Sequence, residues 1–309
     1  MYHIIINPAS RSGKGIRLWQ QEVVPYLEKN RIPYTAHFSN EQGDIAKIAT
    51  TLARASSKEN HITMILFGGD GTFNEAIQNI DDFSNITIGY VPTGSSNDLA
   101  RDLGVTKGPV EALDNIFKNG HIHPMDIGEV VLGDGTKRRF AVSCGIGFDA
   151  AVCADVNQST AKYVLNKLGL GKLAYVGIAL TQLCSAAYPD ATIELDNGKT
   201  ISLHRYLFLV AMNHRYEGGG FKFCPMANSA DGILDMCTVI KRPLPVLLCA
   251  LVKAYSGKHF SISGIKPYKS SRFVITSSQP QWVHTDGEVI GQSDKLTITC
   301  KKQTINMMY

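Results

Sequence analysis

A chain of 309 residues with 44% hydrophobic residues and no low-complexity tract can form one large or two medium domains, which excludes a disordered or fibrous protein. Its net charge of +4 is too small to argue for nucleic acid as a partner, although it is compatible with weak attraction to an anionic membrane. The seven cysteines contain no Cys-x-x-Cys pair, which argues against a disulfide framework or a zinc site and favours a reduced, cytoplasmic protein.

The first part of the chain alternates between buried strands and helical patterns. Strands are predicted at residues 3–6, 34–38, 62–67 and 86–91. Helices are predicted at residues 16–28, 45–55, 73–80 and 110–118. Regular alternation of this kind predicts a parallel sheet covered by helices on both faces. The first strand begins almost at Met1, so we expect no signal peptide.

After about Asp126 the pattern changes to hairpins. Strands at 128–132 and 138–144 flank Asp134-Gly135, and strands at 192–195 and 200–209 flank Asn197-Gly198. Asp-Gly and Asn-Gly between strands are hairpin turns, so this part should be largely antiparallel. Helical patterns at 172–186 and 245–255 interrupt it, and both are too short to span a bilayer.

The most informative stretch is Phe67-Gly-Gly-Asp-Gly-Thr-Phe-Asn-Glu75, between a buried strand and a helix. Its glycines let the backbone approach a polyanion and point N–H groups at it. Asp70 would then hold a metal, a sugar hydroxyl or the loop itself. The alternative is a plain turn in which Asp70 caps the following helix.

A second loop of the same kind follows the next strand, in Pro92-Thr-Gly-Ser-Ser-Asn-Asp-Leu-Ala-Arg101. Loops at the carboxyl ends of nearby parallel strands face one crevice, where open α/β sheets bind ligands. The pair therefore indicates a nucleotide site more specifically than either loop alone.

With these loops the chain resembles the diacylglycerol kinase catalytic-domain family, the lipid kinases that include relatives of sphingosine kinases. The matching segments occur in the family's order along nearly the whole chain. They are Asn7-Pro8, Gly68-Gly-Asp-Gly-Thr72, Gly94-Ser-Ser-Asn-Asp98, Asp126-Ile-Gly128, Gly145-Ile-Gly-Phe-Asp-Ala150, Asp231-Gly-Ile-Leu-Asp235 and Asp286-Gly-Glu288. Ser95 replaces the usual Thr but keeps its hydroxyl, and Arg11-Ser12 lengthens the first loop.

The resemblance implies a parallel-sheet α/β nucleotide lobe at residues 1–127 and an antiparallel β-sandwich lipid-substrate lobe at 128–299, with a cleft between them. Residues 300–309 would return to the first lobe. The implied cofactors are ATP and Mg²⁺. The implied nucleotide-binding residues are Asn7, Pro8, Ser10, Ser39, Gly68, Gly69, Gly71, Thr72, Asn74, Glu75, Gly94, Ser95, Asn97 and Asp98.

The acids receive roles from the same resemblance. Glu288 matches the general base that takes the proton from a lipid hydroxyl, and Asp70 matches the catalytic acid that organises magnesium and nucleotide. A structural magnesium would be held by Asp231 with oxygens of Asn228 and Ile233. The supporting acids are Asp126, Asp235 and Asp286.

The sequence therefore predicts an ATP-dependent kinase that converts a lipid alcohol, first of all diacylglycerol to phosphatidic acid, at the inner membrane face. The alternatives are a kinase similar to NAD kinases and a non-enzymatic sensor of nucleotide or lipid on the same fold. Peripheral membrane contact is expected through Lys162, Lys167 and Lys172, the alternative being that this segment is a surface loop that only connects the lobes. The protein could form a homodimer.

Overall fold

The computed structural model describes residues 1–105, 108–158, 183 and 186–309. The three lysines proposed for membrane contact, Cys184 and most of the predicted helix at 172–186 lie outside the described residues. In the described part of the chain, no helix is long and apolar enough to cross a membrane.

The N-terminal part folds into an α/β lobe built on a parallel sheet. Its strands are β1 (Tyr2–Ile6), β2 (Tyr34–Phe38), β3 (Ile62–Gly68) and β4 (Ile86–Pro92). Its helices are α1 (Ser10–Gly13), α2 (Gly15–Leu18), α3 (Val24–Lys29), α4 (Asp44–Arg54), α5 (Asp70–Ala76), α6 (Asp98–Asp102) and α7 (Pro109–Asp114). The strands pair in the order β4-β3-β1-β2, which brings the carboxyl ends of β1, β3 and β4 together.

Burial explains this arrangement. Strand β4 is buried along its whole length, as expected for a strand covered by helices on both faces. In α4 the apolar residues Ile45, Ala49 and Leu52 recur at helical spacing and pack into the core.

The C-terminal part is a mainly antiparallel β-sandwich lobe. Its strands are β5 (Ile122–Leu132), β6 (Lys137–Phe140), β7 (Ser143–Gly147), β8 (Ala191–Leu195), β9 (Thr200–Leu203), β10 (Tyr206–Met212), β11 (Leu234–Ile240), β12 (Ile265–Ser270), β13 (Arg272–Thr285) and β14 (Glu288–Met308). Two helices accompany them, α8 (Phe148–Gln158) and α9 (Leu244–Tyr255). A core that includes Phe140, Ile193 and Phe273 lies between the strands.

Strand β14 joins the two lobes. It pairs antiparallel with β13 and β5 and ends parallel to β4, where Met307 faces Ile88. Strand β5 crosses residue 127, so the division of the chain at that position falls within a strand. The two lobes therefore share β5 and β14, which fixes the active-site residues of one lobe against those of the other.

The predicted fold class is confirmed, but several element boundaries are wrong. The helix predicted at 16–28 is divided into α2, a π-helical stretch at Trp19–Val23, and α3. The helix predicted at 73–80 begins at Asp70 and ends at Ala76. The strand predicted at 200–209 is broken near Arg205, whose φ of 54° lies in the left-handed region and cannot continue a strand.

The strand predicted at 138–144 is also broken, and β7 begins only at Ser143. Ala141 and Val142 lie in this interruption, and their backbone N–H groups donate to the carboxylate of Asp286. These N–H groups are lost to the strand ladder because a distant side chain binds them.

Candidate active site

The two glycine loops touch each other at the carboxyl ends of β3 and β4. A methyl group added at Gly94 would lie 2.6 Å from Cα of Gly69, and one added at Gly69 would lie 3.0 Å from Cα of Gly94. Any side chain at Gly94 would therefore force the loops apart. The loops form one continuous backbone surface.

Hydroxyl and amide groups hold the first strand to this surface. The Asn7 amide donates to Thr72 Oγ1 at 3.1 Å, and the hydroxyls of Ser10 and Thr93 are 2.9 Å apart. Gly68 has no room for a side chain because Thr72 Oγ1 would lie 2.2 Å from its Cβ. The ends of β1, β3 and β4 are thus tied together around the loops.

Asp70 joins the first loop to the second. Its carboxylate accepts hydrogen bonds from the N–H groups of Asp98 at 2.9 Å and Leu99 at 3.4 Å, at the start of α6. The Tyr90 hydroxyl donates to it at 3.3 Å. Asp70 therefore caps the neighbouring helix α6. The plain-turn alternative expected it to cap the helix that follows it in the chain, α5. Burial raises the pKa of Asp70 to about 6, which keeps it close to a change of charge at neutral pH.

Asp98 extends the connection to the second lobe. Its Oδ2 accepts the N–H of Gly219 at 2.8 Å, within the Gly218–Gly220 loop. Among the described residues, its Oδ1 is buried without a hydrogen-bond partner, and Arg101 Nε lies 3.6 Å from it. Burial raises the pKa of Asp98. The Gly218–Gly220 loop is consequently held against the second nucleotide loop.

Asp286 is fully occupied by the protein itself. Its carboxylate accepts three backbone N–H bonds, from Ala141, Val142 and Ser143, and a bond of 2.7 Å from the Asn74 amide. Its φ of 50° places it in the left-handed region of a tight turn. Asp286 therefore positions the turn that carries Glu288 and ties it to α5.

Glu288 lies beside the first glycine loop. A methyl group at Gly71 would be 3.4 Å from Glu288 Oε1, and the other carboxylate oxygen accepts a bond of 2.7 Å from Arg138. Burial raises the pKa of Glu288, while the charge of Arg138 opposes the rise. This combination suits a carboxylate that must accept a proton and still be ionised beforehand.

Other residues expected at the nucleotide have structural partners of their own. Glu75 accepts the N–H groups of Gly43 at 2.8 Å and Ile45 at 3.1 Å, and so caps α4. Asn97 has a φ of 50° and donates to the carbonyl of Gly94. Ser95 and its neighbour Ser96 are exposed at the rim of the second loop. Ser39 donates its backbone N–H to Ile6, which places it beside the end of β1.

The residues expected at the structural magnesium lie apart from the glycine loops in the chain, in the turn at 228–233. Asp231 is exposed and accepts the N–H of Ile233 at 3.0 Å, and Asn228 Oδ1 accepts the N–H of Ala230. Asp126, fully buried, accepts the N–H groups of Gly232 and Gln303. It therefore ties this turn to a bend in β14.

Asp235, the remaining supporting acid, is buried on β11. Its Oδ1 lies 3.2 Å from the Lys269 ammonium group, and burial raises its pKa. Its Oδ2 is buried and has no hydrogen-bond partner within the part of the chain that the structure describes. In the described part of the chain, no three His, Cys, Asp or Glu side chains are clustered so that they could hold a metal ion. A magnesium site in this turn would therefore rely on Asp231 and on amide and carbonyl oxygens.

Sequence reasoning missed Arg138. One of its guanidinium nitrogens reaches both Glu288 and Asn74, at 2.7 Å and 2.9 Å. In the sequence Arg138 is one of three consecutive basic residues of an ordinary hairpin strand, so no motif distinguishes it. The fold, in which β5 pairs with both β6 and β14, brings Arg138 to Glu288.

A buried cluster beneath the Glu288 turn was also missed. His284 Nε2 lies 3.2 Å from Asp149 and 3.5 Å from Glu217, while its Nδ1 accepts the N–H of Gly287. Ser143 donates its hydroxyl to Glu217 at 2.6 Å. Gly145 is required here, since a methyl group would lie 2.1 Å from Asp149 Oδ2. The signal in the sequence was the Gly145–Ala150 segment, which contains Asp149.

The charges of this cluster depend on one another. Burial alone would lower the pKa of His284, but the hydrogen bond to Asp149 and the charges of both acids raise it. The N–H of Gly287 opposes that rise, because it binds Nδ1 only while this nitrogen carries no proton. Burial raises the pKa of Glu217 to about 7. His284 therefore supports the turn of Gly287 as a neutral ring that donates from Nε2 to Asp149.

The first prediction concerns stability. His284 donates from Nε2 to Asp149 and accepts the N–H of Gly287 at Nδ1, so His284→Phe removes both bonds and leaves the Gly287 N–H without this acceptor. We expect the free energy of unfolding to fall by about 1–3 kcal/mol, the usual cost of a buried polar group that loses its partner. Urea unfolding of both proteins at neutral pH measures the difference. An unchanged free energy of unfolding would contradict the supporting role of His284.

Both parts of the chain match families of known proteins. Residues 1–130 match the model of the diacylglycerol kinase catalytic domain, and residues 142–308 match that of the YegS C-terminal NAD kinase beta sandwich-like domain. The diacylglycerol kinase of Bacillus subtilis is 29% identical over 293 residues, covering 93% of this chain and 89% of that protein. The diacylglycerol kinase of Staphylococcus carnosus is 28% identical over 291 residues, covering 94% and 89%.

The fold has close counterparts among solved structures. The crystal structure of a diacylglycerol kinase from Bacillus anthracis superposes with a TM-score of 0.70 at 21% identity, covering 100% of this chain and 96% of that one. Another structure from the same organism has a TM-score of 0.77 at 24% identity, covering 100% and 94%. At this identity the structures establish the shared fold.

The α/β lobe, the sandwich lobe and the paired glycine loops define a lipid kinase. The two family models together account for nearly the whole chain. The chain belongs to the family defined by the YegS C-terminal NAD kinase beta sandwich-like domain, and its residues 1–130 match a diacylglycerol kinase catalytic domain.

Proposed function

We propose that the protein transfers the γ-phosphoryl group of ATP to a lipid hydroxyl, with diacylglycerol as acceptor and phosphatidic acid as product. The observation that carries this proposal is the position of Glu288, whose Oε1 lies beside Gly71 of the phosphate loop. A base next to the loop that binds phosphates is the arrangement needed to activate an alcohol toward a phosphoryl group.

The residues divide the reaction between them. The glycine loops bind the phosphates through backbone N–H groups, and Asp70 keeps the loops in register. Glu288 takes the proton of the lipid hydroxyl while that oxygen bonds to the γ-phosphorus and the bond to the β-phosphate oxygen breaks. ADP leaves, and the proton passes from Glu288 to solvent. Magnesium carried by ATP would neutralise charge on the phosphates.

Arg138 has a positioning role in this scheme. Its guanidinium group holds one oxygen of Glu288, which leaves the other facing Gly71. The same group binds Asn74, which holds Asp286. The chain Arg138, Asn74 and Asp286 thus fixes the direction of the base relative to α5, and phosphoryl transfer depends mainly on such positioning.

The turn at 228–233 suits a structural Mg²⁺ in its donor chemistry, since it offers a carboxylate, an amide oxygen and backbone carbonyls. Asp231 would bind the ion, with oxygens of Asn228 and Ile233. The charge of the bound Mg²⁺ would stabilise this turn. Asp126 joins the turn to β14 by accepting the N–H groups of Gly232 and Gln303.

The second prediction tests this ion by stability. A ligand that binds only the folded state raises the melting temperature, so magnesium should stabilise the wild type more than Asp231→Ala. Asp134→Ala is the matched control, because Asp134 is another exposed turn acid, at the β5–β6 hairpin. Differential scanning calorimetry with and without MgCl₂ gives the shifts. Equal shifts of the melting temperature in all three proteins would show that the ion does not bind in this turn.

The proposed activity is tested directly with labelled ATP, magnesium and dispersed lipid, and the product is identified by mass. Phosphatidic acid formed from diacylglycerol, with no phosphorylation of NAD, is the expected result. NAD phosphate as the product would favour the NAD kinase alternative. Absence of turnover with every lipid alcohol and with NAD would favour a sensor of nucleotide or lipid.

The proposed reaction also places the protein in the cell. A diacylglycerol acceptor has its acyl chains in a bilayer, so the enzyme would work in the cytoplasm in peripheral contact with the inner membrane face. ATP and the lipid would be its partners, and no feature of the described residues calls for nucleic acid. Gel filtration with light scattering would decide between a monomer and a homodimer.

A further inference from the structure

Helix α9 has an inverted apolar pattern. Its small residues Ala250 and Ala254 are buried, whereas five of its large ones are exposed, with Val252 at 76% and Leu248 at 45%. The exposed large residues are Leu244, Leu248, Leu251, Val252 and Tyr255. Their spacing places them on one face of the helix. A continuous apolar face of this kind on a globular protein indicates a binding surface.

The charged residues of the chain segment that carries this face have one sign. From residue 236 to residue 271 the chain contains no Asp or Glu. The basic residues in that range are Lys241, Arg242, Lys253, Lys258, Lys266 and Lys269. Lys241 and Lys258 are exposed and flank α9 on both sides, while Lys269 is paired with Asp235.

Helix α9 is also connected to the active site. The backbone N–H of Lys222 donates to the carbonyl of Ala254, and the rings of Phe221 and Tyr255 are 5.9 Å apart. Phe221 follows the Gly218–Gly220 loop, which Asp98 holds against the second nucleotide loop. One short segment, residues 218–222, therefore connects α9 to the cleft.

We propose that the α9 surface, formed by the five exposed apolar residues with Lys241 and Lys258, docks on an anionic phospholipid bilayer. The inference deepens the proposed function, on which it rests for the identity of the substrate. Apolar side chains would enter the boundary of the acyl chains while lysines bind lipid phosphates. The bilayer would thus face the side of the protein that is linked to the cleft.

Charge favours a bilayer over a second copy of this chain. A two-fold symmetric dimer places the same patch on both sides of the interface. Lys241 and Lys258 of each copy would then face a patch of the same positive sign, which opposes association. An anionic membrane complements both the apolar face and the lysines.

The test compares variants in binding to vesicles of phosphatidylcholine with phosphatidylglycerol, without nucleotide or diacylglycerol. Combined Leu248→Gln, Leu251→Gln and Val252→Gln should weaken binding by about tenfold or more, since three apolar side chains are removed from the boundary. The matched control is Val110→Gln with Ile122→Gln, two exposed apolar residues of the α/β lobe and β5. The control should bind as the wild type does.

A second variant tests the electrostatic part. Lys241→Gln with Lys258→Gln should weaken binding to the anionic vesicles, and added salt should weaken binding of the wild type. Circular dichroism shows whether the apolar variant folds. If it does not fold, the variant with both lysines replaced still tests whether the α9 surface binds the vesicles. Normal binding by a folded apolar variant, or by the lysine pair at low salt, would overturn the proposal.

Two further outcomes would also overturn it. A wild-type dimer that becomes a monomer in the apolar variant, with vesicle binding unchanged, would assign the surface to a second copy. Loss of binding only on substitution of Lys162, Lys167 and Lys172 would move the docking surface to that segment.

Turnover separates this inference from the proposed function. The apolar variant should phosphorylate a short-chain, water-soluble diacylglycerol at the wild-type rate, because the cleft is unchanged. Vesicle binding that depends on α9, combined with no turnover on any lipid, would refute the activity and uphold the surface. A loss of short-chain turnover in the folded apolar variant would instead indicate that α9 acts on the cleft itself and would overturn a purely docking role.

Discussion

Replacement of Glu288 by Gln should reduce kcat by roughly a hundredfold or more, the usual scale for loss of a general base. Gln keeps the size of the side chain and can still accept a hydrogen bond from Arg138, so the turn and the phosphate loop should retain their shape. The KM for ATP should change little, since Glu288 lies beside the loop without making a hydrogen bond to it. Steady-state kinetics with ATP and dispersed diacylglycerol measure both quantities.

Arg138→Gln is the informative companion to this variant. Burial raises the pKa of Glu288, and the positive charge of Arg138 lowers it. Removing the charge of Arg138 should therefore raise the pKa of Glu288 further. Because the base must be ionised, activity should rise with pH and the rise should shift to higher pH in this variant. In Glu288→Gln, the activity that remains should not rise with pH in this way, because the carboxylate that titrates is absent. An unchanged kcat in Glu288→Gln, or a loss confined to ATP affinity, would show that another group takes the proton.

Asp70→Ala should abolish measurable turnover and weaken binding of magnesium and nucleotide. The carboxylate accepts N–H bonds from Asp98 and Leu99, so its removal frees the second loop and leaves the N–H groups at the start of α6 without their partner. The core should persist because Asp70 is half-buried at its edge. Isothermal titration with ATP and magnesium gives the affinity, and circular dichroism confirms the fold.

Tyr90→Phe separates the roles of Asp70. This change removes only the hydroxyl that donates to Asp70 at 3.3 Å and leaves the bonds that join the loops. We expect nearly normal turnover in Tyr90→Phe and none in Asp70→Ala. Normal turnover in Asp70→Ala would mean that the loops hold their register without the carboxylate, and that Asp70 does not organise the nucleotide.

Periodicity was sufficient to predict the elements that are buried on both faces. Strands β3 and β4 were each predicted to within one residue. Such strands are uniform apolar runs between turn residues, so local composition determines them. Elements whose ends are set by distant groups were less predictable, as the break before Ser143 shows.

The acids of the motifs illustrate a different limit. Their spacing indicated that they matter, but it did not indicate what each one binds. Asp286 and Asp126 accept backbone N–H groups from segments more than a hundred residues away, and Glu75 caps α4. A carboxylate in a motif can be a ligand, a base or a structural acceptor, and the choice depends on which donors the fold brings to it.

By itself the sequence determined the two glycine loops, the order of parallel and antiparallel parts, and the acid of the Asp286-Gly-Glu288 turn, because these are local patterns of backbone freedom and apolar spacing. Only the tertiary structure decided that Arg138 holds Glu288, that His284 supports its turn, and that α9 exposes its large apolar residues. Each of these depends on contacts between residues far apart in the chain, or on which face of a helix remains uncovered. Such facts follow from strand pairing and packing, which no local pattern records.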